Sequence, residues 1–192
     1  MMNKQLHKSL FLGMGALMLT VSPLVFAIDG TPSLTATLTS TIEAGTCNAQ
    51  IKDKNGAAAS IIGFGDVFKS DLERKTRKEN FQLSFSGCSG VHGALVSTQI
   101  AASCSGTSGN GNSYPNAGGT SAATAVEIWN GQPDSGTEFN CNTRSTAQDI
   151  AISGGTKDVA MSARMVIASG KTINDVSAGT FQAPVTFVVT YR

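Results

Sequence analysis

The sequence is short of what most catalysts and nucleic-acid binders need. Histidine occurs only at His7 and His92, and none of the four cysteines stands in a CxxC pair, which argues against a zinc site. Charged residues make up 14% of the chain and aromatics 6%, and no basic, aromatic-rich groove is visible, so a nucleic-acid partner is not expected. No glycine-rich loop follows a strand and opens a helix, which removes the common phosphate cradles. A Ser-His-Asp or Cys-His site would have to use His92, in the glycine-flanked loop Val91-His92-Gly93. Carboxylate pairs such as Asp134 and Glu138 fall in a stretch that reads as a flexible polar loop, without the burial that tunes an acid or base. The residues therefore point to no catalysis, no metal and no cofactor.

Long apolar runs are also missing after residue 27. Before it, Lys4 and Lys8 precede an apolar stretch from Leu10 to Val21, and Val25-Phe26-Ala27 ends on a small residue. Residues 1–27 read as a secretory signal peptide, too short and wrongly flanked for a stable membrane span. Removing them takes two of the 14 basic residues and none of the 13 acidic ones, leaving a balance of −1. The remainder, about 165 residues, suits one core. Export places Cys47, Cys88, Cys104 and Cys141 in an oxidising compartment, so two disulfides are expected. Three pairings are open; the sequential one is the simplest and closes loops worth ~4 kcal/mol each.

What is present is alternation. Leu34, Ala36, Leu38, Ser40, Ile42 and Ala44 share one parity, with threonines and Glu43 between them. Asp53-Lys54-Asn55-Gly56 signals a turn, and Ile61, Ile62, Phe64, Val67 and Phe68 suggest a short strand interrupted by Gly63 and Gly65. The mixed-sign run Lys69–Glu79 reads as a solvated loop or edge. Phe81, Leu83 and Phe85 alternate into Cys88, and Leu95–Ile100 adds a short strand. A polar stretch at 102–123 is a long loop. Ala125–Trp129 is a strand closed by the tight-turn pair Asn130-Gly131, and a second polar loop carries Cys141. Val159, Met161, Ala163, Met165 and Ile167 alternate against Ala160, Ser162, Arg164 and Ala168. About seven or eight strands with no convincing helix make an all-β sandwich.

The strongest strand comes last: Phe181, Ala183, Val185, Phe187, Val189 and Tyr191 alternate with Gln182, Pro184, Thr186, Val188, Thr190 and Arg192. An edge strand shows unpaired N–H and C=O groups, and only Pro184 and Arg192 blunt this one. Leaving its apolar face wet would cost on the order of 10 kcal/mol. Residues 28–40, ahead of the first cysteine, are a loose strand that could supply such a neighbour in another copy.

These features together resemble the subunits of fimbriae built by the chaperone–usher pathway, in particular type 1 and P-pilus-like pilins. The resemblance rests on the signal peptide, the alternating arm, GTCNAQI, FQLSFSGCSG, AVEIWNGQP and the C-terminal series Gly179, Phe181, Ala183, Val185, Phe187, Val189 and Tyr191, with Tyr191 penultimate. It implies an incomplete immunoglobulin-like β-sandwich completed by donor-strand complementation, with residues 28–42 as the donor arm and 43–192 as the pilin domain. Leu34, Ala36, Leu38, Ser40 and Ile42 would fill the groove of a neighbour. Phe181, Ala183, Val185, Phe187, Val189, Tyr191 and Arg192 would form the acceptor groove and the surface a periplasmic chaperone binds, with the terminal carboxylate on Arg192 docking on basic chaperone residues. An outer-membrane usher and neighbouring fimbrial subunits are the other implied partners, on a cell-surface fimbrium reached through the periplasm. Cys47–Cys88 matches the family disulfide. Ser40 stands where family arms carry glycine, and the pair Cys104–Cys141 is not a general family feature. A single domain without an extra lectin domain points to a structural subunit. The alternative is a small single-domain adhesin or carbohydrate-binding module using the 102–142 loops, with Tyr114, Trp129 and Phe139 stacking on a ligand. The residues name no host receptor.

Overall fold

The computed structural model describes residue 40 and residues 45–99, 111–141 and 147–192. The chain divides into two compact units, Met1–Ser40 and Thr41–Arg192, and all the secondary structure of the described residues belongs to the second. The expected signal peptide, the arm residues Leu34, Ala36, Leu38 and Ile42, Cys104 and residues 102–110 of the 102–123 loop lie outside the described residues.

Among the described residues, nine strands form two antiparallel sheets. β1 (Thr46–Lys52), β2 (Lys78–Ser89), β8 (Lys157–Ile167), β5 (Thr124–Asn130) and β4 (Tyr114–Pro115) lie side by side in that order, and β6 (Thr137–Phe139) also pairs with β5. The second sheet runs β7 (Gln148–Ala151), β3 (Gly93–Thr98), β9 (Phe187–Tyr191). The apolar parity of each strand turns inward. Phe81, Leu83 and Phe85 of β2, Val159, Met161, Ala163 and Met165 of β8, and Val126 and Ile128 of β5 face Ala94 and Val96 of β3 and Ile150 of β7. A period of two places these residues on one face of each sheet, so burying that face fixes the register.

Cys47 and Cys88 are joined in a disulfide, 41 residues apart, which staples the start of β1 to the end of β2. Cys141 is buried and also disulfide-bonded. The turn at Asp53–Gly56 forms as expected, with Gly56 N–H donating to the Asp53 carbonyl at 3.0 Å and Gly56 at φ 82°.

Three expectations are corrected. Part of the charged run is a helix, α1 (Lys69–Arg74). The Asp71 carboxylate accepts the Phe68 N–H at 3.0 Å, Lys75 caps the far end at φ 53°, and Leu72 is driven into the core. Six residues are too few to show a 3.6 period among so many charges. Residues 61–68 do not join a sheet; Gly65 takes φ +66° there, and only Ile62, Phe64 and Val67 pack against the core. On the other parity of β8, Ser162 and Arg164 are buried while Ala160 is exposed. Finally, Asn130-Gly131 opens a six-residue connection over residues 131–136 instead of a two-residue turn. It folds back through Gly131 N–H to the Ala160 carbonyl (2.8 Å) and Ser162 Oγ to the Gly131 carbonyl (2.6 Å).

Candidate functional site

The closing segment is built by a strict division between its two parities. The pairs Arg192–Gly93, Thr190–Leu95 and Val188–Ser97 follow the β3 register, and Gln99 N–H donates to the Thr186 carbonyl at 2.9 Å. Arg192 and Gly93 exchange both backbone bonds, at 3.0 and 3.1 Å. In an antiparallel ladder, hydrogen-bonded pairs recur every second residue, so the even-numbered backbone groups point to β3. Further up, the chain leaves this sheet, which is why β9 is shorter than the alternation suggests. The same parity still bonds within the chain there. The Gln182 carbonyl accepts from Ala117 and Gly118, the Thr180 carbonyl accepts from Ser121 at 2.9 Å, and Gln182 N–H donates to Asn116 Oδ1 at 2.9 Å. Gly119 permits this contact, because a Cβ there would stand 2.1 Å from the Thr180 carbonyl oxygen.

The odd residues do the opposite. The N–H and C=O groups of Phe181, Ala183, Val185, Phe187, Val189 and Tyr191 have no backbone partner among the described residues. Their side chains are all half-buried and all pack on the core, while Gln182, Pro184, Thr186 and Thr190 are exposed. The Phe187 ring lies 5.6 Å from Phe139, edge to face, and 6.5 Å from Phe81. Tyr191 meets Phe85 edge to face at 6.4 Å, and its hydroxyl donates to the Cys47 carbonyl at 3.1 Å. That bond joins β9 to β1, the edge strand of the other sheet, so two sheet edges meet at the end where β9 finishes.

A second stretch shares these properties. Ile62, Phe64 and Val67, with Ile51 of β1, are half-buried side chains packed on the same core. Among the described residues, the backbone of 60–67 also makes no backbone–backbone hydrogen bond. Sequence reasoning missed this second wall as part of a site. The alternation of Ile62 and Phe64 was the available signal, and it pointed to a strand instead. Extended backbone with unpaired donors and acceptors, beside apolar side chains that are only half covered, is a surface that binds a further strand. A two-residue repeat spaces the free groups of the odd residues ~6.8 Å apart, and Phe181 to Tyr191 spans about 34 Å.

Of the expected donor residues, Ser40 is exposed and the other four lie outside the described residues. Arg192 is exposed and ion-paired to Asp149. The aromatic residues proposed for ligand stacking are committed elsewhere. Tyr114 and Phe139 are fully buried, and Trp129 lies under the Arg164 guanidinium at 5.9 Å. Tyr114 donates to Thr98 Oγ1 at 2.7 Å, and burial pushes its phenol up to about 12. Asp134 and Glu138 are not a loose pair. Arg164 binds Glu127 Oε2 at 2.6 Å and Asp134 Oδ1 at 2.8 Å, and that contact holds the Asp134 carboxyl below its ordinary value. Glu138 lies on β6, and burial raises its pKa against the opposing hydrogen bond from Asn112 at 3.0 Å. Among the described residues no cluster of three or more His, Cys, Asp or Glu is placed to hold a metal ion.

Comparison with known proteins agrees with this architecture. Residues 36–192 match the family described as Fimbrial protein. The chain is 36% identical over 180 residues to the uncharacterized fimbrial-like protein YadL of Escherichia coli strain K12, covering 88% of this chain and 89% of that one. Among solved structures it resembles the P pilus rod subunit PapA, with a TM-score of 0.54 at 18% identity, covering 75% of this chain and 99% of that one. It also resembles a subunit in the structure of a chaperone–usher pilus, with a TM-score of 0.50 at 18% identity, covering 84% and 96%. The two-sheet architecture is thus the immunoglobulin-like fold of pilus subunits, and with the family match running from residue 36 to residue 192, the chain belongs to the fimbrial protein family.

Proposed function

We propose that this fimbrial subunit polymerises by donor-strand exchange, lending its own arm, residues 28–42, to the acceptor edge of the next copy. Membership of the family implies a cell-surface pilus built with other fimbrial subunits. The observation that carries the mechanism is the closing segment: its odd-numbered side chains belong to the core while its odd-numbered backbone has no partner among the described residues. An added strand would satisfy those groups and cover the exposed halves of Phe181, Ala183, Val185, Phe187, Val189 and Tyr191. Leu34, Ala36, Leu38, Ser40 and Ile42 share one parity and are suited to fill the space between this wall and Ile62, Phe64 and Val67. In the periplasm a chaperone strand occupies the edge first, and at the outer-membrane usher the arm of an incoming copy replaces it. One strand is exchanged for another with similar backbone bonds, so side-chain fit decides the outcome and no cofactor is needed.

The geometry also favours one direction of insertion. Each chain enters its domain at Gly45–Cys47, the end where β9 finishes, as the Tyr191–Cys47 bond requires. An arm parallel to β9 would bring its own domain to that end, where the recipient's chain already leaves. An antiparallel arm brings it to the Phe181 end, and copies line up head to tail. Deleting residues 28–40 tests the mechanism. The shortened chain should still be captured by chaperone and accept an arm peptide, yet should fail to cap the edge of another copy. Unchanged polymerisation of the deletion variant would refute donor-strand exchange.

A further inference from the structure

Among the described residues, Ile61 and Phe68 are the exposed large apolar side chains, at 81% and 68% exposure. Phe68 directly precedes α1, and neither the core nor the acceptor wall uses it. Its place in the fold is well defined. Lys69 Nζ donates to the Ile173 carbonyl at 3.4 Å, in a 3₁₀ turn (Ile173–Asp175) a few residues upstream of Phe181. At the same end β2 begins at Lys78 and Met165 N–H donates to the Arg77 carbonyl at 3.0 Å. Phe68 is therefore at the Phe181 end of the molecule.

The opposite end, where β9 finishes, carries two turns in which serine, glycine and threonine predominate. Ser89, Gly90 and His92 in one, and Ser153, Gly154 and Thr156 in the other, are exposed. The turns are bonded together by Cys88 N–H to the Gly155 carbonyl and Ile152 N–H to the His92 carbonyl, both 3.0 Å. The chain enters its domain against the first of them: a Cβ on Gly45 would stand 2.5 Å from the Gly90 carbonyl oxygen.

We infer that Phe68 is a head-to-tail contact residue, seating on the paired turns 89–92 and 153–156 of a second copy of this chain. The inference rests on the proposed antiparallel insertion of the arm. With Ile42 at the Phe181 end of a recipient, only Glu43 and Ala44 separate it from Gly45 of its own domain, a reach of about 10 Å. The domain that owns the arm must then stand against the recipient's Phe181 end, and the surface beside its own Gly45 is the 89–92 turn. A bulky ring facing a floor of glycine and serine can bury its apolar area without displacing side chains. The tight linkage between arm and domain brings the two surfaces together at high effective concentration.

The test uses full-length chain assembled into fibres, with a photoreactive benzophenone amino acid at position 68 or, as control, at position 160, where Ala160 is exposed mid-strand on β8. Irradiation should give a ladder of covalent multimers from position 68. Mass spectrometry should locate the adducts in peptides containing 89–92 or 153–156 of another copy, and position 160 should give far less. Adducts confined to the probe's own chain, to a different subunit or to other surfaces would overturn the inference, as would equal yields from the two positions. The variant Phe68→Ser should release subunits from fibres about tenfold faster, from the lost burial of one aromatic ring; an unchanged rate counts against the contact. Fibres that require the arm but give no such adducts refute only this contact. Fibres that form without residues 28–40 refute the underlying strand exchange.

Discussion

Tyr191 offers the sharpest test of how the acceptor edge is held in place. Two substitutions separate its contributions. Tyr191→Phe keeps the ring on Phe85 and removes only the hydroxyl that donates to the Cys47 carbonyl. One neutral hydrogen bond is worth about 1 kcal/mol. Tyr191→Ala also removes the half-buried ring, at ~1.5 kcal/mol of burial, and the edge-to-face pair, at ~1 kcal/mol, for a total near 3.5 kcal/mol. With a urea slope of about 2 kcal/mol/M, the unfolding midpoint falls by about 0.5 M for Tyr191→Phe and about 1.8 M for Tyr191→Ala. The measurement is made on disulfide-intact protein whose edge is filled by a synthetic peptide of residues 28–42, so both walls are occupied throughout. The slope itself should not change. In the cell, the alanine variant should lower the periplasmic yield of chaperone-bound subunit, and the phenylalanine variant should leave most of it. Equal midpoints for the two variants would show that the ring adds nothing beyond its hydroxyl. A native midpoint for Tyr191→Phe would show that the link between β9 and β1 does not support the edge.

Other outcomes concern groups away from the edge. Arg164→Met leaves Glu127 half-buried without its cation, and removing one partner of a buried pair costs about 3 kcal/mol, readable by thermal melting. The Asp134 carboxyl is held low by the Arg164 hydrogen bond, so its contribution is present above the unfolded carboxylate pKa. It is lost as pH falls through the lowered folded value; in Arg164→Met this acid-side loss should shrink. Glu138 has the opposite sign: burial raises its pKa, so its share of stability is present below the ordinary glutamate value and lost as pH rises through the folded one. Glu138→Gln should therefore stabilise the protein at pH 7, with the gain disappearing on acidification, as a pH series of melts would show. Gly119→Ala should destabilise by about 2 kcal/mol, because its Cβ would collide with the Thr180 carbonyl and push the 180–182 segment off the 116–121 loop.

The sequence by itself determined which residues face inward. A period of two in FQLSF, VAMSARM and FQAPVTFVVTY turns one parity inward once one face of a sheet must be dry, and the structure packs that parity on the core in each case, buried in the first two and half-buried in the last. The cysteine count left three pairings open; Cys47–Cys88, the simplest partner choice and the one the family resemblance implied, is the bond the structure has. What the sequence could not reveal is what lies opposite. Arg164 falls on the parity of β8 opposite Met161 and Met165, yet the 131–136 connection folds over it and supplies Asp134, because charge pairing across 30 residues leaves no local signature. The same holds for Ile62, Phe64 and Val67: glycines keep their stretch out of a sheet, and only tertiary packing seats these side chains on the core. The alternation of Phe181 to Tyr191 announced a strand, but tertiary hydrogen bonding alone decided that its even-numbered backbone is used within the chain while the odd-numbered backbone has no backbone partner among the described residues. Side-chain pattern is local and period-bound, whereas backbone pairing depends on which segments the fold brings alongside.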